Sequence, residues 1–288
     1  MCPVLELTDV SKSYAKSDFV LDKVSFAVPA GTIMGLVGEN GAGKTTVIGC
    51  ILNTLFRDGG TVRLFGSELS DGDRELRENI GVVYDGDNFP DHLSAGQLAD
   101  IMRGVYRQWD DAAFQGYLDS FSITREQKIK SYSKGMTMKL AIAAALAHHP
   151  RLLILDEATS GLDPIVRDEM LDVFLGFVED ESHSILLSSH ITSDLERIAD
   201  HITFLHRGKV VLTASKDDLI YRYAVLRCKE RQFEAIDPKD IIAYRKKEYQ
   251  IDVLVPNGKE ARQKYKDVVA DQTTIDEIML LLVKGKTK

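Results

Sequence analysis

Cysteine, net positive charge and long apolar runs are what this 288-residue chain lacks. Its three cysteines, Cys2, Cys50 and Cys228, are scattered. No pair has the spacing of a metal site, and three separated thiols do not make a disulfide framework. The expected compartment is the reducing cytosol. Lysine and arginine total 36 against 44 aspartates and glutamates, a formal net charge of −8. That balance lacks the positive footprint of unguided nucleic-acid binding and leaves room only for a local basic patch. The candidate apolar stretch, Ile278 to Val283, is far shorter than the roughly 20 residues of a bilayer span. The N-terminus has no charged segment followed by an apolar one, so no secretory signal is expected. Work at a membrane would then go through a partner.

What is present starts with a hydrophobic content of 44%, enough for one large domain plus a small one. Gly38-Glu39-Asn40-Gly41-Ala42-Gly43-Lys44-Thr45 matches the pattern G-x-x-x-x-G-K-[ST]. It follows the apolar run Thr32 to Val37 and precedes Lys44-Thr45-Thr46-Val47. Strand, glycine-rich turn and helix are the context the motif needs. Backbone N–H groups curl around phosphate oxygens, and the helix N-terminus points its dipole at them. Lys44 is expected to reach the outer phosphates and Thr45 to offer its hydroxyl to Mg²⁺.

A second signal is Leu152 to Glu157, an apolar strand ending in two carboxylates. Asp156 is placed to hold Mg²⁺ opposite Thr45, and Glu157 to orient the attacking water. Phosphoanhydride hydrolysis needs charge neutralisation, alignment and a base or water-positioner. Lys44 with Mg²⁺, the loop amides and Glu157 would supply them. His190 ends another apolar strand, Ser184 to Ser188, on the sheet edge where parallel sheets bind ligands. There it can touch the γ-phosphate or hold the water. The remaining histidines, the His148-His149 pair included, read as surface or packing residues.

Around these motifs the pattern organises itself. Short strands are expected at Val4 to Val10, Val24 to Val28, Thr61 to Phe65 and Ile80 to Val83. Leu93 to about Ala147 is helical in period; Phe114, Tyr117, Leu118 and Phe121 line one face, with Asp110 or Asp111 as cap. Asp163-Pro164 opens a further helix. Strands return at Ser184 to Ser188, His201 to Leu205 and Lys209 to Thr213. A boundary falls near Ile220 to Tyr223. Beyond it come a strand, Tyr249 to Val255, and a closing helix from Thr274, where Glu277 completes the pattern of a capping box.

The whole set resembles the ATPase subunit of an ATP-binding cassette (ABC) transporter, over about residues 3 to 220. Tyr14 matches the aromatic that stacks on adenine, and Gly38 to Thr46 match the phosphate loop. Ser133-Lys134-Gly135-Met136 match the signature loop, usually Leu-Ser-Gly-Gly-Gln. Leu152 to Glu157 match the magnesium strand and catalytic glutamate, Ser160 to Asp163 the loop that crosses the dimer interface, and His190 the switch histidine. The resemblance implies an α/β P-loop NTPase fold: an ABC-type core with an antiparallel β subdomain and a helical subdomain at about 88–150. It assigns residues 1–220 to the ATPase domain and 221–288 to a small C-terminal α+β extension.

It implies catalytic roles for Glu157, His190 and Lys44. Nucleotide contacts fall to Tyr14, Gly38, Asn40, Gly41, Gly43, Lys44, Thr45 and Thr46, with Ser133 and Gly135 given by a second subunit. Metal contacts fall to Thr45, Asp156 and Asp85. ATP and Mg²⁺ are the implied ligands. The implied partners are integral membrane subunits and a second ATPase subunit, identical or not, at the cytoplasmic face of the membrane. Tyr106 and Trp109, in the helical region, are candidate contacts to that membrane subunit, with core packing as the other use of Trp109.

Two loops depart from the family pattern, one at Asp85 and the other at Lys134 and Met136. Asp85 stands where glutamine is usual; it can ligate Mg²⁺ or repel the γ-phosphate, and Asp87 is an alternative if the alignment is offset. Lys134 stands inside the signature loop, facing either nucleotide or solvent. Tyr-Ser-Lys-Gly-Met resembles the signature of bacterial ABC-2 type exporter ATPases, which act on antibiotics, peptides, lipids or polysaccharides. A non-transport ATPase working on ribosomes or DNA is disfavoured by the single cassette, the absence of heptads and the acidity. A regulatory cassette that hydrolyses ATP weakly is the other alternative, motivated by Asp85.

Overall fold

In the computed structural model, residues 3–70, 72–86 and 88–286 are described, and Cys2 and Asp87 lie outside them. In chain order the elements are β1 (Leu5–Tyr14), β2 (Ser17–Val28), β3 (Ile33–Val37), α1 (Lys44–Ile51), β4 (Gly59–Leu64), β5 (Ser67–Glu68), α2 (Arg74–Glu78) and β6 (Ile80–Tyr84). There follow α3 (Ala95–Val105), α4 (Asp111–Ser120), α5 (Lys134–Leu146), β7 (Leu152–Asp156), α6 (Pro164–Phe177), β8 (Ser184–Ser189), α7 (Thr192–Ile198), β9 (His201–His206) and β10 (Lys209–Ser215). The last third holds β11 (Ala224–Cys228), α8 (Glu230–Glu234), β12 (Ala243–Lys246), β13 (Ile251–Val255), α9 (Gly258–Lys264), β14 (Val269–Gln272) and α10 (Ile275–Lys284).

Strands β3, β7 and β8 are buried at every position. That is why they read as unbroken apolar runs rather than as alternations. They form the middle of a sheet ordered β10-β9-β3-β8-β7-β6, parallel except for the β9–β10 hairpin. Side chains alternate between its two faces. Ile33, Val37, Leu153, Leu155, Ile185 and Leu187 join one core cluster, and Met34, Leu36, Leu152, Ile154 and Leu186 join another. The second cluster is closed by α1 and by an antiparallel sheet ordered β2-β1-β4-β5. The first is closed by α3 to α7, with Phe114 and Phe174 fully buried. Each such ring stabilises the fold by about 1.5–3 kcal/mol relative to an exposed one.

Register fixes the functional edge. Val37 pairs with Ser189, Ser188 with Asp156, and Asp156 with Tyr84. Because these strands are parallel, their carboxyl ends stand side by side, where such sheets bind ligands.

Several boundaries differ from the sequence reading, each for a local reason. β1 runs on to Tyr14 because the polar stretch Ser11 to Tyr14 pairs with β2 as a hairpin. Within the broadly helical stretch, α5 starts at Lys134 because the Ser133 hydroxyl accepts a hydrogen bond from the Met136 N–H and caps the helix. Asp110 is the residue that caps α4, accepting from Ala112 N and Ala113 N at 2.9 Å each. Thr274 caps α10 by accepting from Glu277 N at 3.2 Å. The Glu277 carboxylate pairs with Arg227; the capping box expected at this helix is thus formed on its Thr274 side.

The chain after the short π-helical turn Asp218–Arg222 builds a third sheet, ordered β12-β13-β11-β14. Its Leu226, Val253 and Val255 form a cluster of their own. Val225, Leu254 and the α10 residues Ile275, Ile278 and Leu281 belong instead to the main core. α10 packs on α7, where Thr192 Oγ1 donates to Asp276 Oδ1 at 2.7 Å and the Ile275 N–H donates to Glu196 at 2.9 Å.

Candidate active site

The glycine-rich turn between β3 and α1 has no room for a side chain at Gly38 or Gly43. At Gly43, φ is +111°, and a Cβ there would lie 2.6 Å from Phe19 Cζ. A Cβ on Gly38 would lie 2.4 Å from the Leu205 carbonyl oxygen. Glycine at these two places lets the loop pass between β2 and the end of β9. The turn delivers Lys44 as the first residue of α1, with its ammonium folded back under the loop. Lys44 Nζ donates to the carbonyl oxygens of Gly38 at 2.7 Å and Glu39 at 3.3 Å. It also lies 3.0 Å from Glu157 Oε1, although the lysine is only 6% exposed.

Glu157 reaches that ammonium from an uncommon backbone conformation, φ +53°. Such a residue costs about 1–3 kcal/mol and persists only where its surroundings over-determine it. Here Ser188 supplies the restraint. The Glu157 N–H donates to both the backbone oxygen and the side-chain oxygen of Ser188 at 3.1 Å. The Ser188 hydroxyl in turn donates to Asp156 Oδ1 at 2.6 Å. On the other side of Glu157, His190 Nδ1 lies 2.6 Å from Oε2. A carboxylate only accepts, so Nδ1 carries the proton in this contact. The result is a continuous chain, Lys44–Glu157–His190, anchored below by Asp156 and Ser188.

A cavity of about 500 Å³ opens over this chain, lined by the loop residues Asn40, Gly41 and Gly43, by Lys44, Thr45 and Thr46, and by Phe19 and Glu157. Tyr14 stands at its margin: its hydroxyl donates to Thr46 Oγ1 at 3.5 Å, and its ring is tilted at 42° to Phe19, with centroids 6.4 Å apart. Among the described residues no group of three or more His, Cys, Asp or Glu side chains is arranged to hold a metal alone.

Of the residues named from sequence, the fold thus gathers Asn40, Gly41, Gly43, Lys44, Thr45, Thr46, Asp156, Glu157 and His190 at one edge. It sets others apart. Ser133 caps α5, and Gly135 lies in its first turn, buried against Val166; neither lines the cavity. Asp85 does not line it either: its Oδ1 is 2.9 Å from Lys134 Nζ. Trp109 packs on Phe114 with centroids 5.1 Å apart, and Tyr106 stacks on His148 at 3.9 Å.

Three contributors escaped the sequence. Ser188 was visible only as the residue before Ser189-His190; its role depends on β8 lying beside β7. Phe19 is one apolar residue in a strand. His206, left above as surface or packing, stands with Nδ1 3.0 Å from Glu39 of the phosphate loop. A further buried anchor is Asp194 on α7, which accepts from Thr159 at 2.7 Å and pairs with Arg167 of α6. It ties the loop after Glu157 to the helix after His190.

Comparison with known proteins places these features among relatives. Residues 21–160 match the family model described as ABC transporter. The bacitracin transport ATP-binding protein BcrA of Enterococcus faecalis is 34% identical over 210 residues, covering 72% of this chain and 68% of that protein. The lantibiotic transport ATP-binding protein SrtF of Streptococcus pyogenes is 33% identical over 219 residues, covering 74% of this chain and 92% of that protein. A solved ATP-binding subunit of an ABC transporter aligns with TM-score 0.66 at 28% identity, covering 80% of this chain and 93% of that one. A dimeric cassette in a post-hydrolysis state with ADP and phosphate bound shares the fold, with TM-score 0.66 at 20% identity over 74% of this chain and 98% of that one.

Proposed function

The chain belongs to the ABC transporter family, and on that premise we propose that it is an ATPase that powers export through separate membrane subunits, with Lys44, Asp156, Glu157 and His190 as its hydrolytic centre. The observation that carries the assignment of the centre is the Lys44–Glu157–His190 chain beneath the cavity, with contacts of 3.0 Å and 2.6 Å.

The roles follow from the chemistry of each group. The amides of Asn40 to Lys44 and the Lys44 ammonium take the outer phosphates of ATP. On binding, phosphate oxygens replace Glu157 as the partner of Lys44, which leaves the carboxylate to orient water. Tyr14 and Phe19 offer faces to the base. Oxygen donors from Thr45 and Asp156 suit Mg²⁺, which keeps several waters and takes few protein ligands beside phosphates. Bound Mg²⁺ supplies neutralisation of the phosphate charge. With Nδ1 donating to Glu157, His190 keeps Nε2 for the γ-phosphate or the water. Ser133 and Gly135 serve the site of a second subunit, identical or paralogous, which pairs head to tail with this one.

We assign residues 1–220 to the ATPase domain, with its helical part at about 88–150, and 221–288 to an accessory unit. No described helix is long and apolar enough to cross a membrane. The transport named for the relatives supports attachment at the cytoplasmic face through integral subunits. The transport named for BcrA and SrtF supports an antibiotic or peptide cargo. The test is purification of the tagged chain from detergent-solubilised native membranes. An integral membrane polypeptide that co-purifies and raises ATPase turnover is expected; association with ribosomes in its place would overturn the reading.

A further inference from the structure

Two of the positions that depart from the family pattern, Asp85 and Lys134, touch each other. Lys134 Nζ lies 2.9 Å from Asp85 Oδ1, with the side chains 47% and 40% exposed. Both ends of this contact are fixed. Asp85 follows β6, whose last residue Tyr84 is in register with Asp156. Its loop is closed by Asn88, whose Oδ1 accepts from Tyr84 N at 3.0 Å and whose Nδ2 donates to the carbonyls of Tyr84 and Gly86 at 2.9 and 3.0 Å. Lys134 is the first residue of α5, directly after the Ser133 cap.

A lysine there is badly placed by its own helix. The N-terminus of a helix repels cations, and the first turn of α5 holds no acidic residue. The anion beside it comes from elsewhere in the fold, and it is Asp85. The lysine also lies over the loop that follows Glu157: a Cβ on Gly161 would stand 3.0 Å from Nζ. One ammonium therefore meets three segments, the loop after β6, the start of α5 and the loop after β7.

We propose that Asp85 is a positioning residue for Lys134, and that this ion pair holds the start of α5 in fixed relation to the loops after β6 and β7, so that the two departures form one matched replacement. Asp85 in this role touches neither nucleotide nor metal. The inference rests on the reading that Ser133 and Gly135 meet ATP across a subunit interface; a misplaced α5 start then weakens use of ATP.

The experiment is a double-mutant cycle in steady-state ATP hydrolysis. Asp85→Asn and Lys134→Met are each expected to raise KM for ATP about two- to fivefold, the size of an exposed ion pair, with kcat less affected. Asp85→Asn added to Lys134→Met should have little further effect. The charge exchange Asp85→Lys with Lys134→Asp should return KM to within about twofold of the parent, and Lys134→Arg should keep it. Additive single effects, or an exchange variant worse than either single one, would overturn the proposal. A metal-ligand role would give that result, together with a raised Mg²⁺ requirement in Asp85→Asn alone. Glu157→Gln serves as control: if it lacks turnover while the cycle shows no coupling, the pairing idea fails and the hydrolytic reading stands.

Discussion

Ser188 restrains two residues at once. Its hydroxyl donates to Asp156 and accepts from the Glu157 N–H, and its carbonyl accepts from the same N–H. The side chain is fully buried, so removing it leaves an Asp156 oxygen without its donor and the strained Glu157 backbone held by the Ser188 carbonyl alone. Ser188→Ala is expected to lower kcat for ATP hydrolysis about tenfold, the scale of a support one step behind a metal ligand, while ATP affinity changes little. Steady-state kinetics beside nucleotide titration would check this; an unchanged kcat would show that the strands hold both carboxylates unaided. Phosphate loop and acidic strand end were readable because each is a short contiguous pattern with its own chemistry. Ser188 was not, because its partners lie 31 and 32 residues away.

Among elements, the junction of α5 with β6 carries a second expectation. His148, just past the end of α5, is 1% exposed, and its Nε2–H donates to the Ile80 carbonyl of β6 at 3.1 Å. Burial pushes this imidazole below its ordinary value of 6.5, against the opposing pull of its backbone hydrogen bonds. The unfolded chain therefore takes up the proton first as the solution is acidified. The stability contributed by neutral His148 is complete above about pH 6.5 and is lost as pH falls below it. Melting temperatures of the parent should drop more steeply between about pH 6.5 and pH 5 than those of His148→Gln, which keeps a donor for Ile80 without the titration. Equal slopes would remove His148 from the account.

The sequence located most of these elements through period and run length, and it lost their ends where a side chain decides. The start of α5 is one such end, set at Lys134 by the Ser133 cap. The contact of Asp85 with Lys134 was not legible, because it joins segments whose proximity no local pattern reveals.

At the scale of the whole molecule, parallel order does the assembling. Strands β3, β8, β7 and β6 end on one edge: the first three lead into the phosphate loop, His190, and Asp156 with Glu157, and the fourth into the Asp85 loop, which stands outside the cavity. Such convergence from four distant stretches was legible only through family resemblance, since strand order is not written in any one segment. The C-terminal sheet lies outside this edge, but α10 joins the main core and is bonded to α7, directly after His190. Its packing was not legible either, because the apolar stripe of α10 shows that it is covered without showing by what.

The central claim is that Glu157 positions water on an ATP held by Lys44. It is tested most directly by measuring ATP binding and ATP turnover together on Glu157→Gln. The expected result is ATP bound within about threefold of the parent affinity, with turnover reduced about a hundredfold or more. Turnover at the parent rate would contradict it.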